Sequence, residues 1–172
     1  KIENLLVLES KEFNNDTLIF TKCAYVEISL FDIVNKIYDL QSIIITDAKI
    51  NIKYNNIGIP NFLIFKKNSE NQNHLSIKKI TLLNTELNIK KESPYIDIGW
   101  DLIRSIITIT NQEYIFNIDA FSKKLVIGTS DYINTKKIDI LAETQIKKDT
   151  IKIVNSKLDI ENVLLDLKGS VF

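Results

Sequence analysis

A twelve-residue pattern occurs three times in this chain, and it restricts the fold more than any other feature. It reads SIIITDAKINIK at residues 42–53, KITLLNTELNIK at 79–90 and TIKIVNSKLDIE at 150–161. Aligned without gaps, each copy places four Ile or Leu residues around a central Asp47, Asn84 or Asn155. Those centres lie 37 and then 71 residues apart. That is about one and two units of ~36 residues, and self-similarity at such a period marks a repeat architecture.

The pattern predicts β structure, because side chains on a strand alternate faces with period two. A hairpin turning at Asp47-Ala48 pairs Ile45 with Ile50 and Ile43 with Ile52. The same geometry pairs Leu82 with Leu87, Ile80 with Ile89, Ile153 with Leu158 and Ile151 with Ile160, so all twelve fall on one face. Asp and Asn suit the turn because they tolerate positive φ. The opposite face is mixed: Thr46 meets Lys49, Thr81 meets Asn88, and Lys152 meets Asp159. A rival form is one long strand bulged at the Asp or Asn. With the hairpin, Ile43, Ile45, Ile50 and Ile52 are expected to be far more buried than Ile44, Thr46, Lys49 and Asn51.

Composition agrees with strands. Ile dominates, Met is absent, and only 4 Gly and 2 Pro interrupt the 172 residues. Ile and Thr favour strands, whereas Ala, a strong helix former, is scarce. Lys plus Arg and Asp plus Glu are 22 each. Without a basic excess, nucleic acid is not an expected partner. The single Cys23 cannot form an internal disulfide. No apolar run approaches the ~20 residues of a membrane helix. The length fits one domain, residues 1–172, read as a segment of a longer protein whose targeting segment lies upstream.

Along the chain, strands are expected near residues 5–8, 17–30, 95–100, 103–110, 114–121, 125–132 and 137–146, besides the repeats. Residues 101–107 are alternatively a helical turn. A turn is expected at Asn14-Asn15-Asp16 and a loop at 55–61. The one helix candidate spans residues 29–38, capped by Ser29, with Leu30, Phe31, Ile33, Val34 and Ile37 as an apolar stripe.

Signatures of catalysis are missing. His74 is the only histidine and lies in a polar stretch, which gives no zinc site and no convincing nucleophile–base pair. No glycine-rich phosphate loop exists. Asp97 and Asp101 read as a solvated strand face, and Trp100 as core or groove lining. The expectation is a non-enzyme with no cofactor and no metal.

Residues 25–65, YVEISLFDIVNKIYDLQSIIITDAKINIKYNNIGIPNFLIF, resemble the N-terminal region of AsmA-like proteins. The shared elements occur in order: the strand Val26–Leu30, the short helix at 31–36, the repeat unit, Asn56-Ile57-Gly58, then Asn61-Phe62. A Tyr-containing strand at 114–121, the Ser130-Asp131-Tyr132 segment and Leu165-Asp166-Leu167-Lys168-Gly169 resemble bacteroidete-type members. The resemblance implies a mainly β fold: a curled antiparallel meander sheet, the repeating β-groove or taco-like form, with one short amphipathic helix. It also implies a periplasmic, lipid-binding segment on the inner-membrane side of a Gram-negative envelope, anchored by a part outside these residues. Phospholipid transport between inner and outer membranes, and outer-membrane homeostasis, would follow.

The implied partners are phospholipid acyl chains, the membrane and other envelope proteins. The implied lipid-facing groove is Ile43, Ile45, Ile50, Ile52, Ile80, Leu82, Leu87, Ile89, Ile151, Ile153, Leu158 and Ile160. Two other readings stand beside it. One is a scaffold that assists outer-membrane protein assembly through exposed sheet edges. The other is a closed structural β-sandwich, in which a second sheet covers the apolar face.

Overall fold

The computed structural model describes residues 1–29, 40–62, 77–110, 113–133, 138–147, 150–160 and 163–171. All but Ser29 of the helix expected at 29–38, and His74, lie outside the described residues. Ten strands form one sheet: β1 Ile2–Leu8, β2 Thr17–Ile28, β3 Leu40–Tyr54, β4 Lys79–Lys91, β5 Ile96–Thr110, β6 Glu113–Ile127, β7 Ser130–Asp131, β8 Ile138–Lys147, β9 Thr150–Ile160 and β10 Val163–Val171. A single 3-10 turn, Lys11–Phe13, separates β1 from β2. The order is β1-β2-β3-β4-β5-β6-β8-β9-β10, with the two-residue β7 folded back on β6. The sheet does not close, so β1 and β10 are its edges.

The repeats are not hairpins. Each is one uninterrupted strand, β3, β4 and β9, and the chain does not reverse at Asp47, Asn84 or Asn155. The long strand of the rival form is correct, although Asp47 and Asn84 are not bulges: pairing with the neighbouring strands runs one-to-one past both, with no extra residue. Asp47 and Asn84 have φ of 51° and 49° in mid-strand, and this single left-handed residue shifts the alternation by one. Ile43 and Ile45 before it, and Ile50 and Ile52 after it, therefore stay on one face. In the third copy, Asn155 is not at positive φ. There the shift is an extra residue in β9, where the register slips between Glu143 and Thr144 of β8.

One pair departs from the expected antiparallel order. β3 and β4 run parallel, with Ile43 beside Ile80, Ile45 beside Leu82, Ile50 beside Leu87 and Ile52 beside Ile89. The 37-residue repeat is thus an in-register stack of like on like. Asn84 Nδ2 donates to Asp47 Oδ1, and Asn88 Nδ2 donates to Asn51 Oδ1 at 3.1 Å. The left-handed residues line up as a seam. Asn4, with φ 51°, falls between the pairs Glu3–Cys23 and Leu5–Thr21, Asp47 between Thr21–Ala48 and Cys23–Thr46, and Asn84 between Leu83–Arg104 and Thr85–Leu102.

Two predicted boundaries also move. Runs 95–100 and 103–110 merge into β5, so 101–107 is strand rather than helical turn. Runs 114–121 and 125–132 merge into β6 followed by β7. Register slips beside Gly99 and Ile103 absorb the changes of phase that made each look like two strands.

Candidate functional site: the apolar face

Cross-strand register carries one face through the whole sheet. Ile19, Ile50, Leu87, Trp100, Ser122, Ile138, Ile160 and Val163 form one continuous row. Ile43, Ile80, Ile107, Phe116, Thr144 and Ile153 form another. By the same ladders all twelve repeat positions share this face.

The sheet bends toward that face. Leu82, Leu102 and Ala120 are buried together, and Ile45, Ile50, Ile80, Leu87, Trp100 and Ile118 pack against them. These side chains come from both sides of the seam, so the two arms of the strands close on one another. At the bottom of the bend the inward residues are small and sealed: Thr21 is 0 % exposed, Thr85 2 % and Ala120 2 %. A lone sheet buries side chains in this way where it curls onto itself. Among the described residues, the extensive strand–strand contacts are all between neighbours in the sheet, and no second layer lies over the apolar face.

The expected contrast in burial is therefore not observed. Leu82 is buried, Ile151 is exposed, and the other ten repeat positions are half-buried. Ile44, Thr46 and Asn51 are half-buried too, and only Lys49 of the outward set is clearly exposed. The inward residues are left half-open because nothing among the described residues covers them. In the outward set, Ile44 lies between Tyr25 and Thr81 of the neighbouring strands, Thr46 donates to Cys23 O, and Asn51 is bonded to Thr17 O and Asn88.

Trp100, Leu102 and Ile118 complete the apolar cluster, yet they fall outside the repeats. Trp100 was expected as core or groove lining, and the face places it there. Leu102 was missed because the bulge at Ile103 conceals its phase. Tyr114, Phe116 and Ile118 belong to this same face rather than to a covering layer.

The opposite face is laced with charge pairs. Lys49 Nζ lies 3.0 Å from Glu86 Oε1, Lys123 Nζ 2.5 Å from Asp101, and Lys124 Nζ 2.5 Å from Asp97. Asp97 is only 4 % exposed, so it is not the solvated acid that the sequence implied. The Asn88 amide and then Lys49 hold the Glu86 carboxyl below its usual range. The Asp97 carboxylate raises the Lys124 ammonium.

One end of this face is a polar knot. Buried Glu9 accepts from Asn61 Nδ2 at 2.9 Å and from Lys53 Nζ at 2.8 Å. Lys53 also reaches Asp16 at 3.0 Å. Burial lowers the Lys53 pKa, but its bonds to Glu9 and Asp16 outweigh that and raise it. The knot ties the turn after β1 and the loop after β3 to the sheet, a structural role.

A shallow cleft of about 480 Å³ lies among Arg104, Asn117, Asp119, Glu143, Asn155 and Lys157. Among the described residues, no group of three or more His, Cys, Asp or Glu is placed to hold a metal ion. No helix of the described residues is long and apolar enough to cross a membrane. Comparisons of the chain with protein-family models, with curated proteins and with solved structures return no match.

Proposed function

We propose that the apolar face is a groove that holds lipid acyl chains. The observation that carries this reading is a bent apolar face spanning eight strands, left half-open, with no protein layer over it among the described residues. Apolar surface left in water costs about 25 cal/mol per Å², and an acyl chain removes that cost without needing a hydrogen-bonded partner. The twelve repeat residues line the groove, and Trp100, Leu102 and Ile118 complete it. No chemical step is required of it. In the setting that the family resemblance implies, it would bind phospholipid on the periplasmic side of the inner membrane and serve transport toward the outer membrane.

Native mass spectrometry of the purified protein tests this. Co-purified lipid, lost on Leu87→Asp, is the expected result, and lipid-free protein that takes up none from mixed micelles would refute it. A second reading rests on the edges. All nine residues of β10 are exposed, and its outer edge is unpaired among the described residues. Such an edge is a template for another strand, as a scaffold for envelope proteins would use.

A further inference from the structure

The apolar rows end at Ile52, Ile89 and Ile98, and the next inward row changes character. There Tyr54 stands beside Lys91, and Lys91 beside Ile96. This row lies two residues further along the strands, roughly 7 Å beyond the last fully apolar row. Around it, at the ends of β3 and β4 and the start of β5, is a cleft of about 410 Å³. Lys90 and Lys91 line it together with the aromatic rings of Phe13, Tyr54 and Tyr95.

The charges in this cleft are unequal. Lys53 is spent on Glu9 and Asp16. Asp97, which lies across from Lys90 in the ladder, is already bound by Lys124. Among the described residues, Lys90 and Lys91 have no ion-pair or hydrogen-bond partner, and Glu92 is the one acid that lines the cleft with them. Lys91 is thus left with exposed Glu92, while Lys90, on the opposite face, also lines a cleft with Asp16, Glu86 and Asp97, acids already paired with Lys53, Lys49 and Lys124. Ammonium groups beside aromatic rings, one row past an apolar trough, fit an amphiphile whose tail is apolar and whose head is anionic.

We infer that this cleft is the head-group end of the groove and takes a phosphate ester, with Lys90 and Lys91 as its cationic contacts. The inference rests on the groove reading, and it adds a direction: head at Lys91, tail toward Ile52, Ile89 and beyond. Lys91 points with the apolar face and Lys90 with the opposite one, so the phosphate sits astride the sheet end. Tyr54 and Tyr95 supply ring faces on either side, and the Tyr95 hydroxyl is already donated to Asp97 Oδ2 at 3.3 Å.

The test compares two lipids with identical fluorescent tails, phosphatidic acid and diacylglycerol, titrated against the protein in mixed micelles. The expected result is about tenfold tighter binding of phosphatidic acid, the order that two exposed charge pairs supply. Lys90→Gln with Lys91→Gln should reduce the preference to about twofold or less. Lys147→Gln with Lys152→Gln removes the same charge at the far end of the strands and should leave the preference intact. Equal affinity for the two lipids, or a preference kept in the Lys90/Lys91 variant, would overturn the inference and leave the groove standing. Failure of both lipids to bind would overturn the groove as well. Glycerol 3-phosphate competing as strongly as intact phosphatidic acid would place a free phosphate ester in the cleft and overturn the head-group assignment.

Discussion

Replacing Asn84 by Val should destabilise the protein by about 2 kcal/mol, while the same change at Asn155 should cost less than about 0.5 kcal/mol. The two residues occupy the same place in the repeat and both are exposed. Their backbones differ: Asn84 has φ 49° and Asn155 is not left-handed. A left-handed conformation costs an L-residue roughly 1–2 kcal/mol, least for Asn and Gly and most for a β-branched side chain. The substitution also removes the Asn84 amide from Asp47, an exposed bond worth about 0.5 kcal/mol. In urea, with a slope near 2 kcal/mol/M, the midpoint should fall by about 1 M. Asn84→Gly should stay within about 0.5 kcal/mol of the native protein, since Gly adopts positive φ freely but loses the amide. If Val is tolerated at 84 as well as at 155, the phase shift does not depend on a left-handed residue. The explanation of how both arms keep their apolar residues on one face then fails.

Other outcomes follow from the same geometry. Leu102→Ala should cost about 2–3 kcal/mol by urea denaturation, at the low end for a buried Leu because the cluster is open on one side; Leu141→Ala, on the exposed face, should cost under about 0.5 kcal/mol. Ile45→Asp places an unpaired carboxylate against Leu82 and should cost roughly 2–4 kcal/mol in the same assay, and a loss near zero would put Ile45 in solvent. Stability should depend on pH at both ends. Asp16 and Glu86 are held below their ordinary values of 3.8 and 4.5, so what they contribute is present above those values and fades as pH falls through the lowered ones. Lys53 and Lys124 are raised above 10.5, so their contribution is complete below that and is lost as pH climbs through the raised values. Thermal melts should thus show a plateau from about pH 5 to pH 10, and Glu86→Gln should flatten its acid limb.

Much of the sheet was legible because its causes are local. Alternation in Ile138, Ile140, Ala142 and Thr144 marks β8 without help from the rest of the chain, and Asn14 and Asn15 turn where expected, with φ of 67° and 55°. The reading of Asp47 and Asn84 failed for a definite reason. A tight hairpin and a long strand with one left-handed residue both ask for a side chain that tolerates positive φ, and both place the same four Ile or Leu residues on one face. What separates them is the partner: β3 lies between β2 and β4. The parallel pairing of β3 with β4 shows in the sequence only as the identical spacing of 37, which a meander of hairpins also produces. The polar knot joins Glu9 to Asn61 across 52 residues, and no local pattern reveals such a contact. Asp97 was misread because its burial depends on Lys124 from the neighbouring strand.

The central claim is that acyl chains lie on one face of the sheet and not on the other. A photo-crosslinking residue placed in turn at positions 45, 87, 49 and 86, followed by mass analysis of adducts formed in cells, tests it most directly. Positions 45 and 87 belong to the apolar cluster, while Lys49 and Glu86 pair with each other on the opposite face at 3.0 Å. The account predicts lipid adducts at 45 and 87 and none at 49 and 86. Equal labelling at all four, or protein adducts alone at 45 and 87, would contradict it.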